Sequence, residues 1–233
     1  VSNYFDVLNR HARQSGSDPS ELAPGERPPG YDMLVERLLV ESNGNPLRVL
    51  AFAGCEGGEG CTRVVRGYAE MLASTGFNVL LVDADVRTAA LTQRMRVRGD
   101  DLWASVCRGA SPAATPRGKG KLTVIASPQS APDKAQCFQT PVFTTWLGAQ
   151  RARYDYVLLD VPPLLRYAEG THVGRQADGV VLIVRADGTN RDLLVRVRDQ
   201  LMRAGVHVVG VVLNRVRDPV PAGLRRYLLN ELE

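Results

Sequence analysis

Apolar residues along the chain gather into short, nearly unbroken runs separated by stretches of helical spacing. Residues 48–53, 78–82, 122–126, 154–159, 179–184 and 206–213 are Val/Leu/Ile-rich runs of strand length. Runs without polar alternation are what parallel strands show when helices cover both of their faces. Between them, apolar spacing of three and four predicts helices over 62–74, 142–153 and 190–204. Leu34, Leu38 and Leu39 share one helical face and predict a helix over 31–41, and further helices are expected at 1–13 and 222–232. Residues 14–30 are rich in Pro, Gly and Ser and read as a linker, while 110–120 and 127–134 are expected as surface loops. Strand–helix alternation at this spacing predicts an α/β fold, a doubly wound, mostly parallel sheet flanked by helices. Residues 1–30 are expected as a flexible N-terminal extension and 31–233 as one domain.

The composition agrees with this and narrows it. A chain of 233 residues suits one large α/β domain with a sizeable core. With 44% hydrophobic and 23% charged residues it is neither wholly disordered nor fibrous. No apolar run approaches the roughly 18 residues of a membrane helix, and no signal-peptide pattern opens the sequence. The net charge of +4 is too mild to imply nucleic acid, so none is expected as a partner. Cys55, Cys61, Cys107 and Cys137 lack the spacing of a zinc site and read as reduced cytosolic thiols, with a Cys55–Cys61 redox bridge the lesser alternative. Of the 29 cationic side chains only Lys119, Lys121 and Lys134 are lysines.

Candidate chemistry sits just after the strands, where open parallel sheets bind ligands. The first strand runs into Gly54-Cys55-Glu56-Gly57-Gly58-Glu59-Gly60-Cys61-Thr62. A phosphate-binding loop needs small residues so that backbone N–H groups can curl around an anion, a lysine for the terminal phosphates, and a Ser or Thr for magnesium. Gly57, Gly58, Gly60 and Thr62 meet this, and the following helix adds its positive dipole end. The lysine position holds Cys61, and Glu56 and Glu59 bring negative charge to a place meant for anions. A tight turn with no ligand is the plain alternative. The second strand exits through Asp83-Ala84-Asp85, two carboxylates that point the same way and suit magnesium or an attacking water. Asp160 ends a later strand where a magnesium carboxylate sits in phosphate-loop proteins. Asn214 ends the last strand, where its amide is placed to read a base edge.

From about residue 47 to 216 the chain resembles the ParA/MinD-like branch of the phosphate-loop fold. More narrowly, it resembles the cytoplasmic domain of bacterial tyrosine kinases tied to capsule and exopolysaccharide export. The residues that carry this are VLLVDADVR, YDYVLLDVPPL, ADGVVLIVRADGTNRD and GVHVVGVVLNRV. The resemblance implies ATP or ADP with magnesium in the loop formed by Gly57, Gly58, Glu59, Gly60, Cys61, Thr62 and Arg63. It gives Asp83, Asp85 and Asp160, with Thr62, to magnesium and phosphoryl transfer, and Asn214 to adenine. The partner it implies is an inner-membrane polysaccharide co-polymerase that regulates chain length, and it leaves room for a homo-oligomer.

Three departures accompany the match. The loop lysine is Cys61 and the additional lysine of the ParA/MinD loop is Glu56. The tyrosine-rich tail of the kinases is reduced to Tyr227. The arginine-bearing segment before the first strand keeps only Glu36 and Arg37. A thiol supplies no positive charge to a transferring phosphate, and losing such a contact costs several kcal/mol of barrier. Arg63 and Arg66 are candidates to replace the lysine, against the alternative that both lie on a solvated helix face. The expected function is therefore a catalytically impaired tyrosine kinase-like protein, cytoplasmic and held at the inner membrane by its partner, that regulates polysaccharide polymerisation and export. Nucleotide binding is expected to be weak or absent. The alternatives are an active ATPase or autokinase with a rearranged loop, and a ParA-like positioning factor using Arg94, Arg96 and Arg98.

Overall fold

The computed structural model describes residues 47–97, 106, 115–117, 121–127, 132–186 and 188–216. Its strands are β1 (Val49–Gly54), β2 (Val79–Asp83), β3 (Thr115–Arg117), β4 (Leu122–Ile125), β5 (Tyr156–Asp160), β6 (Gly179–Arg185) and β7 (Val208–Asn214). The helices are α1 (Cys61–Ser74), α2 (Ala90–Met95), α3 (Pro141–Arg153), α4 (Ala168–Gly174) and α5 (Arg191–Arg203), with a 3-10 helix over Pro132–Gln139. One sheet carries all seven strands in the order β3-β4-β2-β5-β1-β6-β7. Every pairing is parallel except β3 with β4. The doubly wound expectation is met.

The apolar runs are long because both sheet faces are covered. On β1, Leu50 and Phe52 face one core with Val64, Val65, Tyr68, Ala69 and Leu72 of α1. Val49, Ala51 and Ala53 face the other, against Phe143 and Trp146 of α3, Val173 of α4, and Val197 and Leu201 of α5. The positions 64, 65, 68, 69 and 72 form one helical stripe, so α1 lies along the sheet and starts at the end of β1. It stops at Gly76, whose φ of 103° is left-handed. There the Phe77 N–H reaches the Leu72 carbonyl and the Gly76 N–H the Ala73 carbonyl, a closure that returns the chain to β2. Leu158, fully buried in central β5, is a direct probe of this core. Leu158→Ala is expected to lower stability by about 2–5 kcal/mol in urea unfolding.

Some expectations are corrected. Residues 110–120 are not wholly loop, because Thr115–Arg117 forms the antiparallel edge strand β3. Pro116 lacks an N–H, and a sheet edge tolerates that loss. Residues 127–134 are not wholly loop either, since a 3-10 helix begins at Pro132. The short helices α2 and α4 were not predicted; neither is long enough to show a period. The expected helices at 1–13, 31–41 and 222–232, the linker at 14–30, and the extension proposed over 1–30 lie outside the described residues.

Candidate phosphate-loop site

Strand order places the ends of β1, β2 and β5 side by side, and the candidate residues converge there. Asp83 and Asp160 are register partners across β2 and β5. The loop between β1 and α1 turns through left-handed backbone at Gly57, Gly58 and Gly60, with φ of 106°, 84° and 89°. Only glycine adopts these values without strain. The Pro162–Pro163 turn lies under the loop: the N–H groups of Leu164 and Leu165 donate to the carbonyls of Gly54 and Cys55, both at 3.0 Å. Asn214 closes the opposite side. Its Nδ2 donates to the Glu59 carbonyl at 2.7 Å, and its Oδ1 accepts the Arg215 N–H at 2.9 Å. The amide expected to read a base is thus engaged with the loop backbone.

Charge in the loop runs opposite to what a phosphate site needs. Glu56 is exposed, but Glu59 is only 6% exposed. Its Oε1 accepts the Glu56 N–H and its Oε2 the Gly57 N–H, each at 2.8 Å. Cys61, at the lysine position, donates its thiol to Asp160 Oδ1 at 3.3 Å. Burial, and then the Asp160 charge, push that thiol well above its ordinary value, so it stays protonated. Cys55 and Cys61 are both free thiols, and burial raises Cys55 to about 12. The expected alternative of a bridge between them is not formed.

The three aspartates differ in what satisfies them. Asp83 Oδ2 accepts the Thr92 hydroxyl at 2.6 Å and the Thr92 N–H at 2.9 Å, and Oδ1 accepts the Asp85 N–H at 3.2 Å. Burial nevertheless pushes Asp83 up to about 7, against the Thr92 hydrogen bonds that pull it down. Asp85 is held by Thr88, whose hydroxyl reaches Oδ2 at 2.5 Å, and by the Arg87 N–H at 3.0 Å. Asp160 is 2% exposed and its Oδ2 has no hydrogen-bond partner. Burial and the neighbouring Asp83 raise it to about 8, while the Thr62 hydroxyl and the Cys61 thiol oppose the rise.

Thr62, Asp83, Asp85 and Asp160 are the hard oxygen donors that magnesium takes, and the orphaned Asp160 Oδ2 fits a cation there. Among the described residues, however, no three carboxylate, thiol or imidazole side chains are grouped to hold a metal ion directly. The loop fits phosphate less well, because Glu59 takes two of its N–H groups.

The candidate replacements for lysine separate. Arg66 pairs with Glu70 at 2.8 Å on the outer face of α1 with 44% of its side chain exposed, so it belongs to a solvated face. Arg63 sits in the first turn of α1 and is partly buried. Arg94 and Arg96 are exposed, while Arg98 and Tyr227 lie outside the described residues. Sequence reasoning missed Thr92, nine residues beyond Asp83 with no motif to flag it, and Glu169. Glu169 is buried in an ion pair with Arg87, whose guanidinium lies 4.8 Å from the Tyr167 ring centroid. That pair ties the segment after β2 to the one after β5.

A parallel sheet with a glycine loop between β1 and α1 and aspartates at the ends of β2 and β5 defines a phosphate-loop NTPase fold. Residues 50–232 match the CobQ/CobB/MinD/ParA nucleotide binding domain, and the chain belongs to that family. It is similar to the tyrosine-protein kinase CpsD of Streptococcus agalactiae, 24% identical over an alignment of 196 residues that covers 79% of this chain and 82% of that protein. Against the tyrosine-protein kinase wzc of Salmonella typhimurium it is 28% identical over an alignment of 174 residues that covers 72% of this chain but 24% of that longer protein. The kinase domain of the Escherichia coli tyrosine kinase ETK has the same fold, with a TM-score of 0.76 at 23% identity over 82% of this chain and 76% of that one. Among the described residues no helix is long and apolar enough to cross a membrane.

Proposed function

We propose that this chain is a catalytically impaired tyrosine kinase-like protein that works by docking to a partner in exopolysaccharide or capsule polymerisation and export. The observation that carries this reading is Cys61. A neutral thiol donating to Asp160 stands where phosphoryl transfer needs a cation, so charge developing on a transferred phosphate meets carboxylates instead. Similarity to CpsD and wzc supports the kinase-like part. The partner is an inner-membrane co-polymerase that regulates chain length, which places the protein in the cytoplasm against that membrane. Residues 31–233 act as the docking domain.

One observation favours a second reading. The unpartnered, buried Asp160 Oδ2 is suited to a cation, as an active ATPase or autokinase with a rearranged loop would require. Tyrosine phosphorylation separates the two. With magnesium and ATP, mass spectrometry is expected to find no phosphotyrosine on Tyr227 or elsewhere, while the co-polymerase's cytoplasmic segment captures the protein without nucleotide. Phosphotyrosine that accumulates with time and disappears in Asp83→Ala would establish the active enzyme.

A further inference from the structure

Glu59 directly follows the solvent-exposed Gly57 and Gly58 and yet is buried, whereas Glu56 three residues earlier points to water. A carboxylate with an open route to solvent leaves it only where donors replace the lost hydration. Here two backbone N–H groups do so, those of Glu56 and Gly57, one on each oxygen. The surroundings are shaped for that carboxylate. At Gly54 a Cβ would come within 2.5 Å of Glu59 Oε2, so the carboxylate occupies the space that a side chain there would take. Asn214 grips the Glu59 carbonyl, which holds the main chain just after the acid, and a Cβ at Gly60 would collide with that amide. Consecutive N–H groups converging on an anion are the binding mode of a phosphate loop, with a carboxylate in the anion's place.

We infer that Glu59 is the loop's built-in anion, holding the phosphate loop in a self-occupied state that any phosphate ligand must displace. The inference rests on the impaired kinase-like reading and adds to it a cause separate from the missing lysine. A phosphate entering this loop meets a charge of its own sign before it meets a donor. Cys61 brings no positive charge to offset that.

The test uses the full chain, Glu59→Gln and Glu59→Ala, with Mg-ADP and inorganic phosphate as probes. Amide hydrogen exchange in the wild type is expected to show protected Glu56 and Gly57 N–H groups, exchanging at least tenfold faster in both variants. Calorimetric titration is expected to show at least tenfold tighter binding of both probes to both variants. Rapid exchange at Glu56 and Gly57 in the wild type would overturn the built-in anion. So would unchanged binding in both variants with thermal unfolding intact, an outcome that leaves the impaired kinase-like reading standing. Micromolar Mg-ADP binding by the wild type would overturn the built-in anion, since a loop filled by its own carboxylate does not bind phosphate tightly, whereas the impaired kinase-like reading falls only to continuous phosphate release.

Discussion

Asp160→Asn is expected to be more stable than the wild type at pH 8 and to lose about half of the wild type's pH dependence. Asp160 titrates at about 8 and Asp83 at about 7 in the fold, against 3.8 for an unhindered aspartate. Both carboxyls are therefore neutral in the folded protein over a range where the unfolded chain has released their protons. Folding takes up protons there, and the stability from the neutral forms is fully present below about pH 4. It is lost as the pH rises through about 7 and then about 8. Each group contributes a slope of up to about 1.4 kcal/mol per pH unit. Relaxation and water entry reduce the total, so urea unfolding should show a wild-type loss of about 2–4 kcal/mol between weakly acidic and weakly basic solution. Asparagine keeps the shape and an acceptor for the Cys61 thiol but has no charge to bury. Its gain should be near zero in acid and about 1–2 kcal/mol in base, the rest of the wild-type loss belonging to Asp83. A variant no more stable than the wild type at pH 8 would show that Asp160 already has a cation or solvent at Oδ2.

Cys61→Lys should produce the largest gain in ligand binding. It places an ammonium beside Asp160 Oδ1, in a cluster where Asp83, Asp85, Asp160 and Glu59 are all buried acids. The added charge favours ionised Asp83 and Asp160, so the acid-to-base loss of stability should shrink. It also gives an incoming phosphate a positive partner in a poorly solvated site. We expect Mg-ADP affinity to rise at least tenfold, or about 1.4 kcal/mol. Glu59→Gln in the same chain should raise it further, because the two changes remove different obstacles. Cys61→Ser keeps the size without the charge and should show no gain. Equal effects of Lys and Ser in a titration would mean that space, not charge, closes the loop.

Much of the frame was legible because its signals are local. The runs in β1, β2, β5 and β6 are apolar on both faces, and the stripe at 64, 65, 68, 69 and 72 already says which side of α1 is covered. Gly57, Gly58 and Gly60 marked a tight loop of small residues, and its left-handed backbone came with the structure. What was not legible depends on contacts between distant segments. Thr92 captures Asp83, Glu169 holds Arg87, and Asn214 grips the Glu59 carbonyl from 155 positions away. Nothing in the spacing of those residues marks them as partners. The charge on Glu59 was visible, but not its direction, which depends on the missing Cβ of Gly54. Arg66 shows the opposite case, where the plain reading of a solvated helix face was the right one.

On the proposed reading, a chain with the nucleotide-binding frame of its family does not use it for catalysis. Calorimetric titration of Mg-ATP into the full wild-type chain near neutral pH, with phosphate release followed in the same samples, tests this most directly. No saturable heat below millimolar nucleotide and no steady release above background are expected. Micromolar binding with continuous phosphate release, abolished by Asp83→Ala, would contradict it.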